Sequence, residues 1–255
     1  MSTAISVLGS GIDDGVADAF LARIGELEGV LSRFRPDSDV SRFSRGERTI
    51  DDVDPAVRVV LRECERLRAL TRGDFEFEPR RRSGDPSDPV LDMNALAKGW
   101  IVEEAATALG MSAAEYLVNA GGDVTARARP NGEPWRVGIQ HPVQRDAVIG
   151  TFDVTRGAVA TSGAYERGEH IRSAGPIPLL SVTVVGPDLG LADALSTAVY
   201  ASGQSPPRWW SDVDATYGLL TMASDNGLRW LPPATGTDIV WRFPSDTPVT
   251  ESNAS

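Results

Sequence analysis

Hydrophobic positions in the first third of the chain fall into helical register. Val16, Phe20, Ile24, Leu27 and Leu31 recur at three- and four-residue spacings, which predicts a helix over about 14–33 with one buried face. Ahead of it, ISVLG reads as a short strand and SGIDDG as a polar turn. A second helix is expected from Pro55, tolerated in a first turn, to about Leu70, with Val57, Val60, Leu61, Cys64 and Leu67 on one face. Cys64 is then a core thiol. Ala97 to Leu109 alternates like a helix, and Leu191, Leu195, Ala198 and Val199 mark the face of another.

Between these helices the pattern changes to strands and turns. Pro36 with Asp37, Ser38 and Asp39 reads as a turn flanked by Arg33, Arg35 and Arg42. RGDFEFEPRRRSGDPSDP reads as a connection with a short extended piece at Phe75 to Phe77, and Val90 with Leu91 as the end of a strand. EYLVNAGGDV is a strand entering a double-glycine turn, NGEPWRVGI a turn into a strand, and GAVATSGAYERG a strand that breaks at small, hydroxylated residues. TYGLLTMASDNGLRWLPP predicts a hairpin turning at Asp225, Asn226 and Gly227, TGTDIVWRF a further strand, and the polar tail from about Pro244 disorder. Four of the six tryptophans fall near this end: Trp209, Trp210, Trp230 and Trp241. They suit either the packing of a sheet edge or a partner surface. The whole reads as α+β, without internal repeats.

With 255 residues and 41% hydrophobic content, the chain can fill one large core or two joined lobes. A net charge of -11 repels polyanions and anionic surfaces, so nucleic acid is not expected as a partner. A single cysteine excludes an internal disulfide and a cysteine-built metal site. No apolar run approaches the roughly 20 residues of a membrane span, and the N-terminal stretch lacks the regions of a signal peptide. The expectation is a cytoplasmic protein with no membrane insertion.

Two stretches carry candidate chemistry. In LDMNALAKGW, Asp92 and Lys98 flank a turn at a helix N-terminus, where free N–H groups favour anions. Lys98 adds a full charge there, and Asp92 can accept hydrogen bonds from a ligand. A structural ion pair between the two is the competing reading, and the glycine order of a Walker loop is absent. In GLADALSTAVYASG, Asp193 and Thr197 stand four apart, so their oxygens project from neighbouring turns on one side. A carboxylate and a hydroxyl suit magnesium, which keeps positions open for water and phosphate. The alternative is that Asp193 merely favours the helix's first turn.

In order, MSTAISV, LSRFRPDSDVSRF, LDMNALAKG, YLVNAGGDV, PWRVGI, AVATSGAYER and SVTVVGPDLGLADALSTA resemble the FAD:protein FMN transferases, the ApbE-like flavin transferases, over residues 1 to about 203. The resemblance implies an ApbE-like fold of two closely joined α/β lobes with FAD between them. It implies one domain over 1–243, followed by a polar tail at 244–255. Members cleave the FAD diphosphate, place FMN on a threonine or serine of a target flavoprotein and release AMP. The resemblance assigns Asp92 and Lys98 to FAD. It assigns the backbone oxygen of Ala95 and the side chains of Asp193 and Thr197 to magnesium. It also places Met1, Asp39, Val40, Ser41, Asp74, Phe75, Glu76 and Ile171 along the flavin nucleotide. His170, in GEHIRSAGP, matches the histidine of the family's HIIDP segment and is the candidate general base, with Lys98 as the electrostatic catalyst.

The chain departs from the family where Arg172, Ser173 and Ala174 replace Ile-Asp-Pro, where Asn94 replaces a small residue, and where Ala164 replaces an acid. These departures keep two alternatives beside transfer: an FAD pyrophosphatase giving FMN and AMP, and an FAD-binding protein with weakened turnover.

Overall fold

The computed structural model describes residues 3–77, 91–163, 179–236, 238–243 and 249–251. Eight strands form one sheet in the order β1-β2-β3-β6-β7-β8-β9-β11: β1 (Ile5–Ser10), β2 (Glu115–Ala120), β3 (Asp123–Arg127), β6 (Arg156–Gly163), β7 (Leu179–Gly186), β8 (Gly218–Ala223), β9 (Leu228–Leu231) and β11 (Val249–Glu251). Every pairing is antiparallel except β9 with β11. A second sheet stacks β10 (Ile239–Arg242), β5 (Val148–Val154) and β4 (Trp135–Gln140).

Both faces of the central strands of the large sheet are buried. Ala158, Ala160, Val182, Val184 and Leu219 belong to the core shared with the helices, whereas the intervening Val159, Val185 and Leu220 join a second core with the small sheet. Strands covered on both sides read as continuous apolar runs, as SVTVVG does. Phe152, Trp230 and Trp241 pack in the second core, with ring centroids 4.5 to 6.3 Å apart. Trp209 is buried against the helical layer. Three of the four C-terminal tryptophans therefore serve packing.

The helical layer follows from one-sided patterning and good caps. Helix α1 (Asp14–Leu31) starts at Asp13, whose carboxylate accepts from Val16 N at 2.9 Å, and buries Phe20, Ile24, Leu27 and Leu31. Helix α3 (Pro55–Leu70) has proline in its first turn, is capped by Asp54, and buries Val57, Val60, Cys64 and Leu67. Burial pushes the Cys64 thiol pKa up, so it is inert at neutral pH. Helices α4 (Asn94–Ser112) and α5 (Leu189–Ser202) lie at the centre, apolar on nearly every side. They cross at two glycines. A Cβ on Gly99 would stand 2.7 Å from the Leu189 carbonyl oxygen, and one on Gly190 3.1 Å from Trp100 N.

Four expectations need correction. Asp39 does not end in a turn but begins a short helix, α2 (Asp39–Ser44), because the Ser38 hydroxyl caps it by accepting from Ser41 N. Phe75 to Phe77 is not a strand: Phe75 and Phe77 anchor an irregular segment in the core. Leu91 is likewise outside any strand, and Val90 lies outside the described residues. The tail is not uniformly disordered, since Val249–Glu251 pairs with β9. Among the described residues no helix is long and apolar enough to cross a membrane.

Candidate active site

The β2–β3 hairpin turns through Gly121 (φ 65°) and Gly122 (φ 98°), values that glycine adopts without steric cost. Gly122 N donates to Asn119 Oδ1 at 2.8 Å. The turn delivers Asp123 to the first position of β3, with its side chain only 1% exposed. Asp123 Oδ1 accepts from Thr161 N of β6 at 3.0 Å, which fixes the carboxylate.

From α4, the Lys98 ammonium forms an ion pair with Asp123 Oδ2 and lies 3.5 Å from Asp193 Oδ2 of α5. Asp193 is as deeply buried as Asp123, whereas the Lys98 side chain is 21% exposed. The Asp193 position is the second turn of α5. The first-turn role belongs to Asp188, which caps the helix by accepting from Leu191 N at 2.7 Å. Helix capping therefore does not explain Asp193.

A hydroxyl row adjoins the carboxylates. Ser162 of β6 shares hydrogen bonds with Ser196 at 2.8 Å and Thr197 at 3.2 Å, and Ser196 donates to the Asp193 carbonyl at 2.9 Å. Ala95 lies on α4 three residues before Lys98, on the same helix face. Two buried carboxylates lie around one ammonium where charge is costly, and the neighbouring hydroxyls among the described residues add further oxygens. Such a site fits a hard divalent cation completing its shell with water and phosphate. Among the described residues no group of three or more His, Cys, Asp or Glu is arranged to hold a metal, so the fit rests on this sparse oxygen set.

At the start of α5, Glu103 accepts from Leu189 N at 3.3 Å. Burial, with Asp188 nearby, pushes its pKa up to about 6. Burial also raises that of Asp188 itself.

Asp92 does not pair with Lys98. Its Oδ2 lies 2.9 Å from Arg33 Nη1, and its Oδ1 accepts from Asn94 N at 3.2 Å. Asn94, a departure from the family pattern, thus supplies a backbone donor to the acid at the helix entrance. Arg33 also lies over the ring of Phe34, 4.7 Å from its centroid, and Phe34 is 73% exposed. The Asp74–Glu76 segment reaches this region through Phe77, whose carbonyl accepts from Asp92 N at 2.7 Å. Phe75 is buried, and Asp74 accepts from Trp209 Nε1 at 2.6 Å. Asp39 pairs with Arg48 at 2.9 Å and accepts from Asp54 N at 2.7 Å. Val40 and Ser41 are buried in α2, with the Ser41 hydroxyl donating to the Arg33 carbonyl at 3.3 Å. Met1, His170 and Ile171 lie outside the described residues.

The structure thus brings Lys98, Asp193 and Thr197 together and sets Asp92 with Arg33 and the Phe77 backbone. Asp123, the acid that follows the double glycine of EYLVNAGGDV, Ser162 and Ser196 were given no role at the site by sequence reasoning; the acid after the turn and the hydroxyl of ATSGA were the available signals. A cleft of 120 Å³ opens beside the centre, lined by Gly122, His141, Arg145, Thr161 and Ser181 among others. His141 Nδ1 accepts from the backbone of Val143 and Gln144 at 3.1 and 3.0 Å.

A double-faced sheet backed by two central helices is the α+β architecture of the flavin transferases. Over 92% of this chain and 95% of the other, it superposes on the flavin transferase ApbE from Vibrio cholerae with a TM-score of 0.71 at 23% identity. It superposes on the ApbE protein from Thermotoga maritima with a TM-score of 0.69 at 21% identity, covering 89% and 93%. The ApbE family model matches residues 1–81 and 78–216, and the chain belongs to that family. The FAD:protein FMN transferase of Salmonella typhimurium is 27% identical over 191 residues, 68% of this chain and 53% of that protein. The enzyme of the same name from Haemophilus influenzae is 24% identical over 272 residues, 81% and 78% respectively. The match thus spans about half the length of the Salmonella relative.

Proposed function

We propose that this chain is a magnesium-dependent FAD:protein FMN transferase, moving FMN from FAD to a threonine or serine hydroxyl of a target flavoprotein and releasing AMP. The observation that carries the reading is the buried Asp123–Lys98–Asp193 centre beside Thr197, within a chain of the ApbE family. The acceptor oxygen forms a bond to the FMN phosphorus, the P–O–P bond breaks, and AMP departs with the electron pair. Magnesium, when bound, neutralises diphosphate charge and holds the leaving group. Asp193, Thr197 and the Ala95 carbonyl would hold it.

The remaining work falls to the chain's own groups. Lys98 places a fixed ammonium near developing negative charge in a site largely shielded from water. Asp92, held by Arg33, accepts from hydrogen-bonding groups of the nucleotide, and the exposed Phe34 ring offers a planar surface for stacking. The segments at Asp39–Ser41 and Asp74–Glu76, with Met1 and Ile171, complete the FAD site in this reading. His170 takes the proton from the acceptor hydroxyl; His141, the other histidine, already uses Nδ1 to cap a loop. The cleft past Thr161 gives the acceptor its approach to the centre. The two cores share one sheet, which supports residues 1–243 acting as one unit. The single cysteine suits a reducing, cytoplasmic setting.

The test is incubation with FAD, Mg²⁺ and a flavoprotein subunit carrying a threonine flavinylation motif, following AMP, free FMN and flavin fluorescence on a denaturing gel. Transfer gives AMP with gel-stable flavin. AMP with free FMN alone identifies the pyrophosphatase reading, and FAD binding without AMP the weakened one.

A further inference from the structure

We propose that the free edge of β4 docks the acceptor as an extended segment, which pairs with the strand's backbone and delivers one hydroxyl side chain into the cleft beside Asp123. The proposal rests on the transferase reading and deepens it by saying how the acceptor is held. Strand β4 ends the small sheet, and among the described residues it pairs only with β5. Which of its peptide groups stay open follows from one bond: His141 N donates across the hairpin to Ala147 O at 2.9 Å. Peptide groups alternate sides along a strand, so those of Val137 and Ile139 also face β5, and those of Gly138 and Gln140 face away. The register shift leaves that alternation intact, because the extra residue, Ile149, lies on β5.

The open peptide groups lie at the cleft. Gly138 and Gln140 line it together with Gly122, which precedes Asp123, and Thr161, whose N–H holds the Asp123 carboxylate. At 120 Å³ the cleft is well below the roughly 300 Å³ of a cofactor pocket, a size that suits a single side chain. Gly138 itself points to a second backbone approaching closely. A Cβ there would meet only Val148 Cγ1 and Cγ2, at 3.6 and 3.9 Å, so the fold does not require glycine at this position. By contrast, a Cβ on Gly150 of β5 would overlap the Trp241 ring, so packing explains that glycine. Residues 138–140 also carry neither charge nor proline, two devices that keep an exposed edge from pairing. The turn beyond them is braced: Gln140 Nε2 donates to Arg145 O at 2.7 Å, and His141 Nδ1 accepts from the backbone of Val143 and Gln144. A fixed edge needs little ordering when a strand adds to it.

The test uses the full chain with FAD, Mg²⁺ and two acceptors: a flavoprotein subunit carrying a threonine flavinylation motif, and a synthetic peptide spanning that motif. Gly138→Pro removes an N–H that faces away from β5, so no bond of the β4–β5 ladder is lost. Gly138→Ala keeps the N–H and adds a methyl in ordinary contact with Val148. Melting temperature and quenching of flavin fluorescence report folding and FAD affinity. Gly138→Pro is expected to lower kcat/KM for the subunit about tenfold, through KM and with FAD affinity unchanged, while Gly138→Ala stays within about threefold of wild type. In a second series the wild-type chain meets peptides N-methylated at one backbone nitrogen each, and transfer should fall at every second position, the period of a strand. If Gly138→Pro does not fold, this series alone decides. Wild-type kcat/KM in Gly138→Pro overturns the proposal, as does Gly138→Ala impaired as much as Gly138→Pro. An N-methyl series without alternation also overturns it, and so does a peptide left unmodified while the subunit is flavinylated. A wild-type chain that modifies neither acceptor removes the transferase reading itself, and this inference with it.

Discussion

Gly99→Ala perturbs the contact that aligns the two halves of the centre. The added Cβ would stand 2.7 Å from Leu189 O and 2.9 Å from Gly190 Cα, where ordinary contact begins at 3.4 Å. Both neighbours are backbone of α5, so no flexible side chain can swing aside. The helices must separate or slide, and overpacking of this kind costs about 1–3 kcal/mol. For a chain of this size that lowers the melting temperature by roughly 2–10 °C. Lys98 precedes Gly99 and Asp193 lies three residues beyond Gly190, so the same displacement moves the ammonium relative to the carboxylate. A misplacement approaching 1 Å costs about a hundredfold in turnover. Differential scanning calorimetry and AMP release check the two effects together. Gly25→Ala on α1 is the control: its Cβ meets nothing within 4 Å, and helix propensity should raise stability by about 0.5–1 kcal/mol. If Gly99→Ala melts and turns over like wild type, the close crossing does not organise the site.

Three further outcomes follow from the geometry. Asp193→Ala should abolish Mg²⁺-dependent turnover while retaining FAD binding, measured by quenching of flavin fluorescence; unchanged turnover would refute the metal assignment. Glu103→Gln tests the buried acid at the start of α5. Its folded pKa of about 6 lies above the ordinary 4.5, so ionised Glu103 destabilises the fold. The cost is absent below pH 4.5, grows as pH rises through 6, and reaches about 2 kcal/mol near neutrality. The variant should therefore unfold at higher urea than wild type at pH 7.5 and equally at pH 4, and a gap that is instead largest at pH 4 would reverse the assignment. Asp92→Ala should weaken FAD binding about tenfold yet lower stability by less than about 1 kcal/mol, since its pair with Arg33 is partly exposed. A large stability loss with unchanged FAD affinity would make Asp92 structural.

What could be seen in the chain beforehand depended on how many sides an element buries. Helices α1 and α3 each bury one face, so their apolar spacing marked them to within two or three residues. Helix α4 is buried nearly all round, so periodicity showed only its middle, and its start at Asn94 rests on Asp92 accepting from Asn94 N. Strand β5 escaped notice because VIGTFDV lacks clean alternation, its two sides facing a core and the Arg136 and Arg242 guanidiniums that pair with Asp153. At the site, the four-residue spacing of Asp193 and Thr197 was legible because one helix sets it. The partner of Lys98 was not, since α4, the hairpin turn and α5 meet only in the tertiary structure. Asp92 lies nearer in sequence, but it precedes the helix and is drawn to Arg33, while Gly99 lets Lys98 approach α5. A glycine inside a helix announces such an approach only once the neighbour is known.

The most direct test of the account is the intact mass of an acceptor flavoprotein subunit after incubation with this chain, FAD and Mg²⁺. The account predicts a gain equal to FMN less one water on a threonine or serine, one AMP released per acceptor modified, and neither product when EDTA replaces Mg²⁺. An acceptor of unchanged mass while FAD is converted to free FMN and AMP would contradict it.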